Sequence, residues 1–271
     1  MNTKTKASRA SDLLKSIQMK PVNRPIAMVV QGVEGVGKTS FLTQAPSPIV
    51  VMTETETGLD TLVDSGQADE TPRIHVKSWS DLDEFVDALL EGDHEYKTFA
   101  LDCANGAEAM LYRHVTDKEF GGDFGERGFA GYGRGYRVAA PLWDAFLVKL
   151  DRLRNEKGMR VVLVTHTKVA TFKNPAGADY DRYTPDMHAS AWGLTHKWAD
   201  IVLFLNFLTT IEDEDKRKAS GGTMRIAYCE RRAAWDAKNR HGLPESFSLG
   251  KSAKEGWNNF LEALKKGKSN G

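Results

Sequence analysis

Nine consecutive residues carry the most specific chemistry in this chain. Gly32, Val33, Glu34, Gly35, Val36, Gly37, Lys38, Thr39 and Ser40 follow the order G-x-x-x-x-G-K-[ST]. Glycines at these positions let successive backbone N–H groups converge on phosphate oxygens, and a following helix adds partial positive charge at its N-terminus. Lys38 then bridges the β- and γ-phosphates, and the Thr39 hydroxyl ligates Mg²⁺. The flanks agree with this reading. Residues 26–30 form a short apolar run expected to be a buried strand, and Ser40, Phe41 and Leu42 can begin a helix. Strand, glycine loop and helix in that order predict a site for a nucleoside triphosphate.

Other candidate groups sit where strands should end. Asp102 closes the run Thr98, Phe99, Ala100, Leu101, where it would hold Mg²⁺ directly or through water; the plainer reading is an acid that begins a turn. Glu54 and Glu56 follow a second apolar run at 49–52, and either carboxylate could orient and deprotonate the attacking water. Strand alternation puts both on one face, so spacing does not choose between them. His166 ends the run 161–164 and could sense a γ-phosphate, or serve only as a structural histidine. Arg231, Arg232, Lys238 and Arg240 are dense enough to neutralise developing charge, or to form a solvated strand edge. Arg127, Arg134 and Arg137 interleave with Phe129, Tyr132 and Tyr136. That pattern suits phosphate contact plus base stacking, or a glycine-rich lid packed on protein. The seven histidines are scattered and neither Cys103 nor Cys229 has a partner at zinc-ligand spacing, so no metal cluster is expected from the sequence. A nucleophile elbow is also missing.

These groups need a scaffold. Apolar runs at 26–30, 49–52, 74–76, 98–101 and 161–164 alternate with helical patterns. One helix is expected to be capped at Ser80 and to run through Leu90, another covers 141–156, and a short one covers 257–264. Residues 121–135 read as glycine-rich and irregular, and 168–188 as a polar loop. Residues 201–209 and 224–230 read as a hairpin with a solvated charged tip at 212–218. The fold class expected is α/β: a mainly parallel sheet with helices on both faces and a C-terminal antiparallel hairpin. Residues 1–24 read as a flexible basic arm, 25–264 as one core, and 265–271 as a basic tail. The arm is either a disordered tail or a docking segment for a neighbour or DNA.

The 37 basic and 37 acidic residues cancel, so any polyanion site must be a local patch. The two cysteines are too few for a disulfide framework, and the start is polar and basic rather than an apolar leader. A cytoplasmic protein is expected.

The set of motifs resembles the RecA-like P-loop ATPase core over nearly the whole chain. Glu56, Thr57, Gly58, Leu59 and Asp60 are similar to the family's strand-ending stretch, whose glutamate activates water, which favours Glu56. Asp102 matches the second acidic motif. Val164, Thr165 and His166 stand where the family has a polar sensor, usually glutamine, that leads into a DNA loop. The resemblance therefore implies DNA contact at 168–188, with Lys168 and Lys173 as its cations, and at 121–137. Lys238, Asn239 and Arg240 resemble the paired cations that reach the ATP of an adjacent subunit. The closest subgroup resemblance is to small phage ATPases made of little more than this core. They act in single-strand annealing and recombination beside a single-stranded-DNA-binding protein. The resemblance implies ATP, Mg²⁺, single-stranded DNA and a ring or filament of like subunits, in the host cytoplasm. A nucleotide-gated scaffold that recruits replication proteins, or a P-loop phosphotransferase with a lid at Arg231 and Arg232, are the rival readings.

Overall fold

In the computed structural model the chain is described at residues 9–12, 14–17, 24–54, 56–213 and 218–269. Most of the basic arm, the centre of the hairpin tip at 214–217 and the last two residues lie outside them. Ten strands form one sheet: β1 (Ala27–Gly32), β2 (Pro48–Thr53), β3 (Arg73–Val76), β4 (Thr98–Asp102), β5 (Arg160–Phe172), β6 (Tyr180–Pro185), β7 (Ile201–Asp213), β8 (Lys218–Tyr228), β9 (Lys238–Asn239) and β10 (Ser246–Ser248). Among the described residues the α-helices that flank the sheet are α1 (Lys38–Thr43), α2 (Gly58–Asp64), α3 (Trp79–Glu91), α4 (Ala104–Phe120), α5 (Arg134–Glu156), α6 (Ala189–Trp198) and α7 (Ala253–Ser269).

The strand order is β10-β8-β7-β1-β5-β4-β2-β3. From β3 to β7 every pairing is parallel, whereas β8 and β10 add antiparallel strands beyond β7. The expected architecture is the one observed. Its cause is visible residue by residue, because the central strands are apolar on both faces, as parallel strands covered by helices must be. Val29, Val51, Leu101, Leu163 and Val202 point into a core beneath α3, α4, α5 and α6. Their neighbours Met28, Val30, Met52, Ala100, Val164 and Leu203 fill a second core beneath α1 and α7. On that second face Phe41 of α1 packs against Trp257 and Phe260 of α7 at ring-centroid distances of 5.1 and 5.9 Å.

Several local expectations are corrected. The α3 cap is Ser78, not Ser80: its hydroxyl accepts from Asp81 N–H while the Asp81 carboxylate accepts from Ser78 N–H. Helix α5 starts at Arg134, seven residues before the Pro141 expected to open it, and carries that proline two turns in, where it cannot donate to the Arg137 carbonyl. Residues 168–188 are not an open loop. Strand β5 continues past the sheet and pairs antiparallel with β6, from Thr167 opposite Pro185 to Phe172 opposite Tyr180. Helix α7 spans Ala253–Ser269, so most of the lysine-rich stretch assigned to a tail belongs to a helix. Among the described residues no helix is long and apolar enough to cross a membrane.

Candidate functional site

The parallel strands β1, β2, β4 and β5 all end at one edge, and the residues that follow them meet there. Their side chains border a cleft of about 490 Å³. It is lined by Glu34, Gly35, Gly37, Lys38, Thr39, Ser40, Glu56, Asp102, His166 and Arg225, with Gly58, Thr61, Leu62 and Gln67 on the α2 side.

The glycine loop between β1 and α1 has the backbone its sequence requires. Gly35 and Gly37 adopt left-handed φ values of 69° and 95°, which side-chain-bearing residues rarely tolerate. Gly37 is also the residue before α1, and no side chain caps that end. The first N–H groups therefore remain open toward the cleft. Lys38 donates to the carbonyls of Gly32 and Val33 at 2.9 and 3.0 Å and has no carboxylate partner within ion-pair distance among the described residues. Burial pushes its ammonium pKa down, against the attraction of Asp102. A buried cation held only by neutral carbonyls, beside uncapped N–H groups, fits a polyphosphate.

Asp102 is almost fully buried, and loss of solvation pushes its carboxyl pKa up. Its Oδ2 accepts from Thr39 Oγ1 at 2.7 Å. A carboxylate and a hydroxyl this close, with no protein cation in contact, are the donor set that Mg²⁺ takes beside phosphates.

Glu56 and Glu54 separate cleanly. Strand β2 ends at Thr53, so alternation does not extend to them and the shared face expected from the sequence is not formed. A turn closed by Glu56 N–H donating to Thr53 O at 2.8 Å brings Glu56 into the cleft. Glu54 instead turns outward to Arg113 at 3.2 Å. Glu56 Oε1 accepts from the Cys103 thiol at 3.0 Å and lies 3.2 Å from His166 Nε2. The His166 hydrogen bond, opposed by burial, keeps the Glu56 carboxyl below its ordinary range and therefore ionised. Among the described residues its other oxygen, Oε2, has no hydrogen-bond partner.

Three residues here carried no sequence signal. Cys103 follows Asp102 and bonds Glu56, and its thiol is pushed far up by burial, so it stays protonated. Together Glu56, Cys103 and His166 bring three possible ligand atoms within 4.8 Å of one another, a grouping invisible in their spacing. Asn105 Oδ1 accepts from His166 N–H at 3.2 Å and ties β5, at the point where its parallel pairing stops, to the start of α4. Arg225, from β8, lies against the glycine loop with Nη1 3.5 Å from Val36 O.

The remaining candidates are elsewhere. Lys238 begins β9 and Arg240 follows it, and this strand pairs with the start of β7, at the opposite end of the sheet from the glycine loop. Lys238 Nζ donates to the carbonyls of His196, Lys197 and Ala199 at 2.5, 3.1 and 2.6 Å, so all three of its donors cap the end of α6. Arg240 is freer: its guanidinium is about half exposed, 3.8 Å from Asp200. Arg231 and Arg232 are exposed near Asp236 and Glu245.

At the glycine-rich stretch, Phe129 is fully buried among Phe120, Phe124, Tyr112 and Tyr136, which removes it from any base-stacking role. Arg134 folds back onto the carbonyls of Arg127 and Gly128 and over the Phe120 ring. Tyr136 stacks on His188 with centroids 3.9 Å apart. Tyr132 remains 96% exposed, and with Arg137, Pro141, Ser190 and Leu194 it borders an open groove of about 650 Å³. In the β5–β6 hairpin Lys168 pairs with Asp186 at 2.9 Å and Lys173 with Asp179 at 2.6 Å.

A parallel sheet whose strand ends carry a glycine loop, a lysine, a hydroxyl–carboxylate pair and a poised glutamate defines a P-loop nucleotide-binding protein. A family model described as an AAA domain matches residues 24–241, and the chain belongs to that family. Membership supports nucleotide binding and ATPase activity. No curated protein matches the chain.

Proposed function

We propose that this chain hydrolyses ATP while assembled with like subunits on single-stranded DNA, in annealing or recombination. The resemblance supplies the setting: a phage or prophage system that works beside a single-stranded-DNA-binding protein. The observation that carries the ATPase half is the convergence of Lys38, Thr39, Asp102 and Glu56 on one cleft. Open N–H groups of the loop and Lys38 bind the β- and γ-phosphates, and Thr39 and Asp102 hold the metal. Held there, Mg²⁺ would supply positive charge that offsets the charge of the phosphates. Glu56 Oε2 accepts a hydrogen bond from the attacking water and takes its proton as the new P–O bond forms and the bond from the γ-phosphorus to the β–γ bridging oxygen breaks, releasing ADP. His166 and Cys103 hold Glu56 in place through Oε1. His166 thereby links the γ-phosphate position to whatever β5 touches beyond the sheet.

Support for DNA comes from Tyr132 and Arg137 at the groove, an exposed ring beside an exposed cation. That groove joins the cleft through two elements. Strand β5 runs from His166 into the hairpin, and Glu108 of α4 accepts from His188 N–H at 3.0 Å while His188 stacks on Tyr136. Arg240, rather than the fully engaged Lys238, is the better cation for an adjacent subunit's ATP.

The test is ATP turnover with and without single-stranded DNA, for the parent, Glu56→Gln and Arg240→Ala. Stimulation by DNA that disappears in both variants supports a shared intersubunit site. Turnover indifferent to DNA, with a silent Arg240→Ala, overturns the assembly and leaves a nucleotide-gated scaffold or a phosphotransferase.

A further inference from the structure

Arg225 occupies a position that the nucleotide reading does not yet use. It comes from β8, an antiparallel strand far from the motif in sequence, yet its guanidinium lies along the glycine loop. Nη1 is 3.5 Å from Val36 O, at the limit of a hydrogen bond, and Nη2 donates to Gly250 O at 3.1 Å. The fit is close: a Cβ placed on Gly37 would stand 2.7 Å from Nη1. Gly37 is thus required twice, by its φ of 95° and by the approach of this side chain.

The charge state of this contact is unusual for a purely structural arginine. A guanidinium has five N–H donors and no acceptor, and partly buried ones normally meet a carboxylate. Among the described residues, no carboxylate lies within ion-pair distance of Arg225. Glu255, an acid that lines the adjoining cavity, uses Oε2 to accept from Lys251 N–H at 2.9 Å. Arg225 is partly buried and lines the same cleft as Lys38 and Thr39, and among the described residues its Nε has no hydrogen-bond partner.

The geometry points to Arg225 as a phosphate-binding residue acting within its own subunit on the α- and β-phosphates of the bound nucleotide. Glu56, His166, Thr39 and Asp102 gather at the γ-phosphate end of the cleft. Arg225 borders the loop at Val36 and Gly37, whose backbone N–H groups, on the nucleotide reading, cradle the α- and β-phosphates. With Nη2 kept on Gly250, Nη1 and Nε can meet phosphate oxygens as charge-assisted bonds, which a guanidinium makes better than an ammonium. The contact also joins the nucleotide to the β8–α7 side of the sheet, because Leu249 N–H donates to Arg225 O at 2.9 Å. The inference rests on the cleft's being a nucleotide site.

Equilibrium binding of ATP, ADP and adenosine to the full chain, parent and variants, tests it without relying on turnover. Arg225→Gln should weaken ATP and ADP alike by roughly 10- to 100-fold and leave their ratio unchanged, because both carry the α- and β-phosphates. Adenosine binding should not move, and Arg225→Lys should fall between parent and Gln. Thermal melting without nucleotide controls for folding, and the Lys variant keeps the test open if Gln unfolds. Parent-like ATP and ADP affinity in Arg225→Gln overturns the inference, as does an equal loss for adenosine. A parent that binds none of the three overturns the nucleotide reading itself, a separate outcome.

Discussion

The phosphate cleft and the Tyr132 groove were both announced by clusters of suggestive residues, and folding treated them differently. At the cleft, residues that follow the parallel strands converge with polar atoms 2.7–3.2 Å apart, and the motif residues other than Gly32, Val33 and Val36 line it. At the groove and hairpin, most of the named groups are engaged internally. Phe129 is core, Arg134 ties down its own loop, and Lys168 and Lys173 have aspartate partners. The difference is one of constraint. A glycine loop after a parallel strand has few conformations, so its chemistry follows from its sequence. Cations and aromatics between helices are free to pack inward or outward, and composition does not say which.

Breaking the cleft should have the largest effect. Glu56→Gln is expected to lower ATP turnover by about 10²–10⁴-fold with nucleotide affinity largely kept, read by single-turnover hydrolysis beside equilibrium binding. If turnover persists, Glu56 is not the base. Next comes the buried side of the groove. Phe129→Ala should cost about 3–5 kcal/mol of stability in denaturant unfolding, as an aromatic ring lost from a packed cluster does. A base-stacking residue would instead weaken DNA binding and leave stability alone. On the exposed side the pattern should reverse: Tyr132→Ala should remove about 1–3 kcal/mol of single-stranded-DNA binding with little change in Tm. Lys173→Ala, whose exposed partner is Asp179, should change DNA affinity and stability by under about 0.5 kcal/mol. Equal losses from Tyr132→Ala and Lys173→Ala would erase the distinction drawn between groove and hairpin.

A pH effect sharpens the same comparison, because Glu108 sits between the two regions. Burial, opposed by the Tyr112 hydroxyl at 2.6 Å and the His188 N–H, raises its carboxyl pKa to about 7. The raised value means that the folded state favours the protonated form. Below the ordinary carboxylate range both states are protonated and Glu108 contributes no penalty. As pH rises toward about 7 the unfolded state loses its proton first, so stability falls across that window and levels above it. Glu108→Gln should flatten that slope in Tm against pH. An unchanged slope would assign the dependence to other groups.

Legibility followed the same divide. The strand–loop–helix order, Asp102 closing β4 and the parallel sheet were readable because each is encoded by contiguous residues. The choice of Glu56 was not readable from alternation, since β2 stops at Thr53 and a turn reorients both glutamates. Lys238 looked like a free cation in sequence, yet its ammonium meets three carbonyls at the end of α6.

The sequence by itself determined that a phosphate loop follows a buried strand, that apolar runs alternate with helical ones, and that a carboxylate closes β4. Local backbone geometry and hydrophobic burial enforce those features within a few residues. Only the tertiary structure decided that Glu56, Cys103 and His166 share one contact, that Arg225 from a distant strand lies on the loop, and that 168–188 pairs as a hairpin. The first two depend on strand order and on contacts between residues 47 to 189 positions apart, which no local pattern encodes, and the hairpin pairs residues 8 to 18 apart in a stretch without strand alternation.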